Sequence, residues 1–262
     1  MKRHLIIPAV LLLTAVLACK SAYETLLESN DTDAKYAAAF DYFNEGKFAK
    51  AAQLFESMSF VTGGTARDDT VQYYWGLSNY RAKDYYTAET NFENFVRNFP
   101  RSPFAENAEF LRLDCLFRAT YRYELDQTPS YKCITAISEY IINHPDSEYL
   151  PVCDKMMDDL QERLDRKAFE NAYLYYKMED YKAARVALKN VLKDNADNRY
   201  RENVLFYSAM ASYKYAQMSV RAKQKERFLV FYDDYFNFVG EYPDSPRRNE
   251  LDNIYKKAKE KY

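Results

Sequence analysis

Histidine, cysteine and carboxylate positions decide what chemistry this chain can perform. It has two histidines, and His4 lies in the N-terminal segment read below as a signal, which leaves His144 as the one imidazole base for a mature protein. A serine or cysteine nucleophile needs such a base together with an orienting acid. No paired motif surrounds His144, which sits just before a proline, where Phe99 and Tyr242 stand in related segments. A packing role is expected there. Apart from Cys19, the cysteines are Cys115, Cys133 and Cys153, at spacings that match no metal motif. Three allow at most one bridge, Cys115–Cys133, with buried thiols the weightier alternative. Val61-Thr62-Gly63-Gly64-Thr65 lacks the lysine and spacing of a phosphate loop and reads as a turn. Asp31/Asp33, Asp68-Asp69 and Asp158-Asp159 fall at helix starts or on solvent faces, where the helix dipole and solubility account for them. The expectation is a protein that is not an enzyme and holds neither metal nor cofactor.

Cys19 has a chemistry of its own. Lys2 and Arg3 precede an apolar run from Leu5 to Leu17, and Val16-Leu17-Ala18 leads into the cysteine. The run is too short to span a bilayer comfortably and ends on a small residue, so a processed signal fits better than a membrane-spanning helix. Val16 and Ala18 match the lipobox pattern of bacterial lipoproteins. Residues 1–18 are read as the signal peptide, and Cys19 as the carrier of S-diacylglycerol and N-acyl chains. Acyl chains at ~0.8 kcal/mol per buried CH₂ anchor a soluble domain once two or more are present. The alternative is an ordinary secretory signal with an incidental cysteine.

Composition narrows what Cys19 would tether. The formal charge of −2 grows more negative once Lys2 and Arg3 leave, so no basic surface points to nucleic acid. Five glycines and eight prolines in 262 residues are too few for a turn-rich β sandwich or barrel. The 26 tyrosines and 17 phenylalanines favour strands by propensity, so periodicity must decide the class.

The periodicity is helical and repeated. Phe95-Val96-Arg97-Asn98-Phe99-Pro100-Arg101-Ser102-Pro103 resembles Tyr140 to Ser147 and, more closely, Phe238 to Pro246, with a degenerate copy at Val191 to Asn198. The three closer copies each read as a helix end, a proline that stops it, and a serine expected to cap the next helix, with Pro103 and Pro246 at its first helical position. A second element, Glu45 to Phe55, recurs at Ala82 to Phe92 and at Glu179 to Leu188. Small residues twelve apart, Ala39/Ala51, Gly76/Ala88 and Ala172/Ala184, mark where two antiparallel helices cross closely. This resembles the tetratricopeptide helix pair.

The expected fold is therefore all-α, a tetratricopeptide-type solenoid of about five helix pairs plus a capping helix. Residues 19–30 are expected to form the lipidated cysteine and a flexible tether, and 31–146 to hold repeats 1–3. Residues 147–178 form a long connecting helix, which is also the first helix of repeat 4. Residues 179–262 hold repeats 4–5 and the cap. In repeat 3 a loop around Glu124–Pro129 delays the second helix. In repeat 5 the charged stretch Arg221 to Arg227 precedes the second helix, and Phe231 stands where a small residue is expected. On the repeat template, Tyr36, Phe40, Phe43, Tyr73, Leu77 and Tyr80 face the concave side. They either pack between adjacent repeats or form a groove for an extended peptide, where tyrosine gives contact area at low entropy cost.

A lipobox cysteine, a short tether, five such repeats, helix ends of the Tyr-Pro-Asp-Ser type and a capping helix together resemble the BamD family. These are outer-membrane lipoproteins of the β-barrel assembly machinery. The most family-like stretch is Phe92–Ala108. The resemblance implies a periplasmic adaptor lipid-anchored to the outer membrane. Its C-terminal repeats would dock the periplasmic domains of the barrel-forming assembly protein, alongside other assembly lipoproteins. Its N-terminal repeats would engage unfolded outer-membrane proteins. Arg201, near a family arginine at the docking surface, is the implied anchor. Two other classes remain: a different repeat scaffold lipoprotein coordinating cell-wall synthesis with constriction, and a glycan-uptake lipoprotein. The latter exposes tryptophans for sugars, whereas this chain has only Trp75.

Overall fold

The computed structural model of the protein describes residues 21–261. Among the described residues there are twelve α-helices and no strand. In chain order they are α1 Ala22–Glu28, α2 Thr32–Asn44, α3 Phe48–Ser59, α4 Asp68–Arg81, α5 Tyr85–Asn98 and α6 Ala105–Arg118. They continue as α7 Thr128–Asn143, α8 Leu150–Lys177, α9 Tyr181–Asp194, α10 Arg201–Gln217, α11 Arg221–Glu241 and α12 Arg248–Lys261. The solenoid reading holds, with α2/α3, α4/α5, α6/α7, α8/α9 and α10/α11 as its helix pairs and α12 as the cap. The chain divides into two compact units. One contains the residues up to Thr120 with Thr135–Tyr149, the other Tyr121–Ile134 with Leu150–Tyr262.

Within each pair the small residues allow close crossing. Ala39, Ala51, Ala88 and Ala184 are fully buried and Ala172 nearly so. At Gly76 an added Cβ would stand 2.9 Å from a ring carbon of Phe92 and 3.2 Å from the Asn91 Cβ, so only glycine fits. The turn into the second helix is the same in three copies. Gly46, Lys83 and Glu179 all take a left-handed backbone, with φ of 75°, 66° and 62°. Asp84 and Asp180 then accept the Thr87 and Ala183 amides at 3.1 and 3.0 Å as N-caps, whereas Lys47 makes no such bond.

Three local expectations are corrected. The stretch read as a flexible tether contains α1. Ser21 accepts the Glu24 amide at 3.2 Å while Glu24 accepts the Ser21 amide at 2.8 Å, a reciprocal cap that starts a helix from a short polar sequence. Tyr23 donates to Gln53 Oε1 at 2.7 Å, and Leu26 and Leu27 pack on the first core. The charged stretch Arg221 to Arg227 is the first turns of α11 rather than a separate linker. The serines of the Pro-x-Ser segments do not cap helices, and Pro103 and Pro246 fall in the turn before the helix. Each serine accepts an amide two residues on, Phe104, Tyr149 or Arg247, at 3.2–3.3 Å.

Those serines join one repeat to the next. Ser102 donates to Asp69 at 2.9 Å, Ser147 to Glu106 at 2.7 Å and Ser245 to Glu202 at 2.7 Å. The three acids are each the second residue of their helix, where the dipole favours a carboxylate. One helical turn beyond each acid stands an aromatic ring, and the residue two beyond each serine covers it. Phe104 stacks on Tyr73 at 4.4 Å, Tyr149 on Phe110 at 4.0 Å, and Arg247 lies over Phe206 at 5.1 Å. The degenerate copy keeps the plan with different atoms. Asp165 accepts Asn195 Nδ2 at 2.9 Å and the Arg199 amide at 3.1 Å, and Tyr200 stacks on Phe169 at 5.4 Å.

In the second unit, α8 is one 28-residue helix. The Tyr121–Gln127 loop lies along it, with Arg163 donating to the Tyr121 carbonyl at 3.3 Å, Arg166 over the Tyr123 ring at 4.2 Å, and Lys167 donating to the Leu125 carbonyl. Phe231 is fully buried, so the fifth pair packs a large ring where other pairs cross on alanine.

Two stability measurements follow. Urea denaturation of Glu202→Ala, Ser245→Ala and the double variant is expected to give a coupling energy of about 1–2 kcal/mol, since the hydroxyl meets a charged acceptor. Additive losses would show the contact to be incidental. Glu179→Gly should raise stability by about 0.5 kcal/mol, the relief of left-handed strain exceeding the entropy glycine adds to the unfolded chain.

Candidate protein-binding surfaces

The six concave-face residues come together in the first unit, and they do so as packing. Tyr36 contacts Phe40 at 5.0 Å and lies 4.6 Å beneath the Arg67 guanidinium. Phe40 meets Phe55 at 5.2 Å and Tyr74 at 4.7 Å, and Phe43 meets Tyr74 at 5.3 Å. Tyr74, which template reasoning passed over, is the hub that joins repeats 1 and 2. Its signal was available, because it stands 34 residues beyond Phe40, the length of one repeat. Leu77 packs against the next cluster.

Two of the three tyrosine hydroxyls, those of Tyr73 and Tyr80, are also used within the chain. Tyr73 is 7% exposed and donates to Asn107 Oδ1 at 2.6 Å, and Tyr80 donates to Asp114 Oδ2 at 2.6 Å. Burial pushes both phenols up to about 12; for Tyr80 the hydrogen bond to Asp114 adds to this. They stay protonated donors throughout the physiological range. In repeat 4 the equivalent residues behave alike, Phe169, Tyr173 and Tyr176 stacking in series against Tyr207.

Arg201 opens α10 and is likewise engaged. Its guanidinium donates through two nitrogens to the Glu241 carboxylate, one of them at 2.9 Å, and through the third to the Ala196 carbonyl at 2.8 Å. A third of the side chain remains exposed. His144 takes the place expected of it. Its ring lies 4.6 Å from Tyr140, as Phe99 lies 5.2 Å from Phe95 and Tyr242 5.8 Å from Phe238. Its Nε2 is 2.9 Å from Glu109 Oε2. Cys115, Cys133 and Cys153 carry buried thiols rather than a bridge, and burial raises the Cys115 thiol to about 12. Cys19 lies outside the described residues, and among those described no helix is long and apolar enough to cross a membrane.

The Arg201–Glu241 pair has a pH signature. The guanidinium holds the Glu241 carboxyl below its usual range. A depressed folded-state pKa stabilises above the unfolded value and loses that contribution as pH falls through the folded value. Thermal melts of Arg201→Gln and wild type should therefore differ most near neutrality and converge as acid takes the pH below the ordinary carboxylate range. A gap that stays constant with pH would sever Glu241 from the effect.

A family model described as an outer membrane lipoprotein, YfiO, matches residues 28–229. The chain is also 22% identical over 190 residues to the curated protein "Outer membrane protein assembly factor BamD" of Caulobacter vibrioides. That match takes in 71% of this chain and 62% of the relative, so the chain spans less than two thirds of the relative's length. The family match runs from the last residue of α1 into α11 and takes in the acid, ring and serine positions of the first three inter-repeat contacts. The chain belongs to the YfiO family of outer membrane lipoproteins.

Proposed function

We propose that the protein is a non-catalytic adaptor of outer-membrane protein assembly, anchored to the periplasmic side of the outer membrane by acyl chains on Cys19. The observation that carries this is the family match across residues 28–229, which coincides with the helix pairs rather than with one motif. A relative described as an assembly factor for outer membrane proteins supports the same setting. The partners are the periplasmic domains of a barrel-forming assembly protein, other assembly lipoproteins and unfolded outer-membrane proteins, with Arg201 a docking residue through its exposed third. A repeat solenoid is suited to this work, because stacked helix pairs present long rigid surfaces that bind other chains without chemistry. The described aromatic stripe of repeats 1 and 2 serves that rigidity.

The test is affinity purification of a C-terminally tagged form from mildly solubilised membranes, with Cys19 intact and as Cys19→Ala. The intact protein is expected to fractionate with the outer membrane and bring down a barrel-assembly protein. Cys19→Ala should keep its circular dichroism spectrum and thermal melt while losing membrane fractionation. Capture of cell-wall synthesis enzymes in place of the barrel-assembly protein would favour the other scaffold class.

A further inference from the structure

The second unit holds an open groove that none of the expected binding residues lines. It has a volume of about 920 Å³ and lies between the second half of α8 and the face of α9. A smaller cleft of about 420 Å³ continues it toward the start of α9, and the two share Tyr175, Ala187 and Asn190. Its floor is made by small or short side chains, among them Ala168, Ala172 and Ala187. Such a floor leaves room above it, whereas the aromatic faces of repeats 1 and 2 are filled by the neighbouring repeat.

The groove walls are polar in a particular way. Asn171 on α8 and Asn190 on α9 are both exposed, and their amides make no side-chain hydrogen bond among the described residues. A primary amide offers a donor and an acceptor side by side, the complement of a peptide backbone unit. Around Tyr175 at the continuing end, Met178 and Val186 stand 67% and 59% exposed, a cluster of bare apolar surface. At the other end Asp194 and Asp197 are exposed and form no ion pair among the described residues. They sit where α9 ends, so its terminal carbonyls add to the negative potential. Asp165 and Arg199, which also line the groove, are already matched, Asp165 by Asn195 and the Arg199 amide, and Arg199 by Asp158.

We propose that this groove binds an extended polypeptide segment of another protein. Its backbone lies between Asn171 and Asn190, a lysine or arginine reaches Asp194 and Asp197, and an apolar side chain covers Tyr175 and Val186. The stretch of α9 from Ala183 to Asp194 rises about 16 Å, which matches roughly five residues of extended chain. Backbone hydrogen bonds and end charges together fix the direction of the segment. The site is independent of the Cys19 anchor, so it stands or falls separately from the localisation described above.

The test uses the full-length protein in detergent micelles and two fluorescein-labelled ten-residue peptides. Both carry valine and tyrosine at one end, and the other end carries two lysines in one peptide and two glutamates in the other. Fluorescence anisotropy is expected to show the lysine peptide binding at least tenfold more tightly than the glutamate peptide. Asn190→Trp should weaken it by at least tenfold by filling the groove. The double variant Asp194→Lys/Asp197→Lys should reverse the preference between peptides. Met218→Trp places an equally exposed ring outside the groove and should leave binding unchanged. Circular dichroism checks that each variant is folded. Equal affinity for both peptides, no measurable binding, or Asn190→Trp behaving as Met218→Trp would overturn the proposal. So would tighter binding of a cell-wall oligosaccharide, displaced by Asn190→Trp.

Discussion

Everything in the array depends on how one helix pair is held to the next, and that is settled at a single recurring contact. A carboxylate on the second residue of a first helix receives a serine hydroxyl from the following repeat, while the ring one turn further on is covered by the residue two beyond that serine. Neither half would suffice alone. A stacked ring fixes distance and leaves rotation open, and a lone hydrogen bond at a partly wet surface contributes little. Together they set both, so within each compact unit the contact fixes distance and rotation at once. The Asp165 version shows that the geometry matters more than the atoms, since amide donors replace the hydroxyl there without changing the stack.

The same logic accounts for the tyrosine content. A ring buried between repeats needs a partner for its hydroxyl, and the partners are polar side chains on neighbouring helices. Tyr200 donates to Glu162 at 2.6 Å and Tyr235 to Asp252 at 2.7 Å, as Tyr73 and Tyr80 do to Asn107 and Asp114. Phenylalanine would supply the area without the direction.

How much of this was legible in the sequence differs by element. The crossing points were, because an alanine or glycine twelve residues from another has few reasons to recur other than close helix packing. The long α8 was, because an uninterrupted apolar stripe with no glycine or interior proline leaves little else to build. For the concave-face residues the sequence allowed both packing between repeats and an open groove: a template gives the direction of a face, and the neighbour's Tyr74 decides whether it is open. The groove on α8 and α9 was not legible at all. It is made of alanines and asparagines, residues whose type carries no signal until the backbone sets them opposite one another. Helix α1 is hidden for another reason, since seven residues are too few for periodicity and only the Ser21/Glu24 reciprocal cap marks its start.

That short helix bears on the mechanics of the proposed attachment. Tyr23 is fastened to α3 through Gln53 and the Lys50 carbonyl, and its ring is crossed by Tyr42 at 5.4 Å. Between Cys19 and the capped Ser21 there is only Lys20. Two residues of fully extended chain reach about 7 Å, roughly the thickness of a headgroup layer. Were Cys19 lipidated as proposed, the lipid would act less as a leash than as a pivot pin close to repeat 1. On that proposal the first repeat would be held close to the bilayer surface.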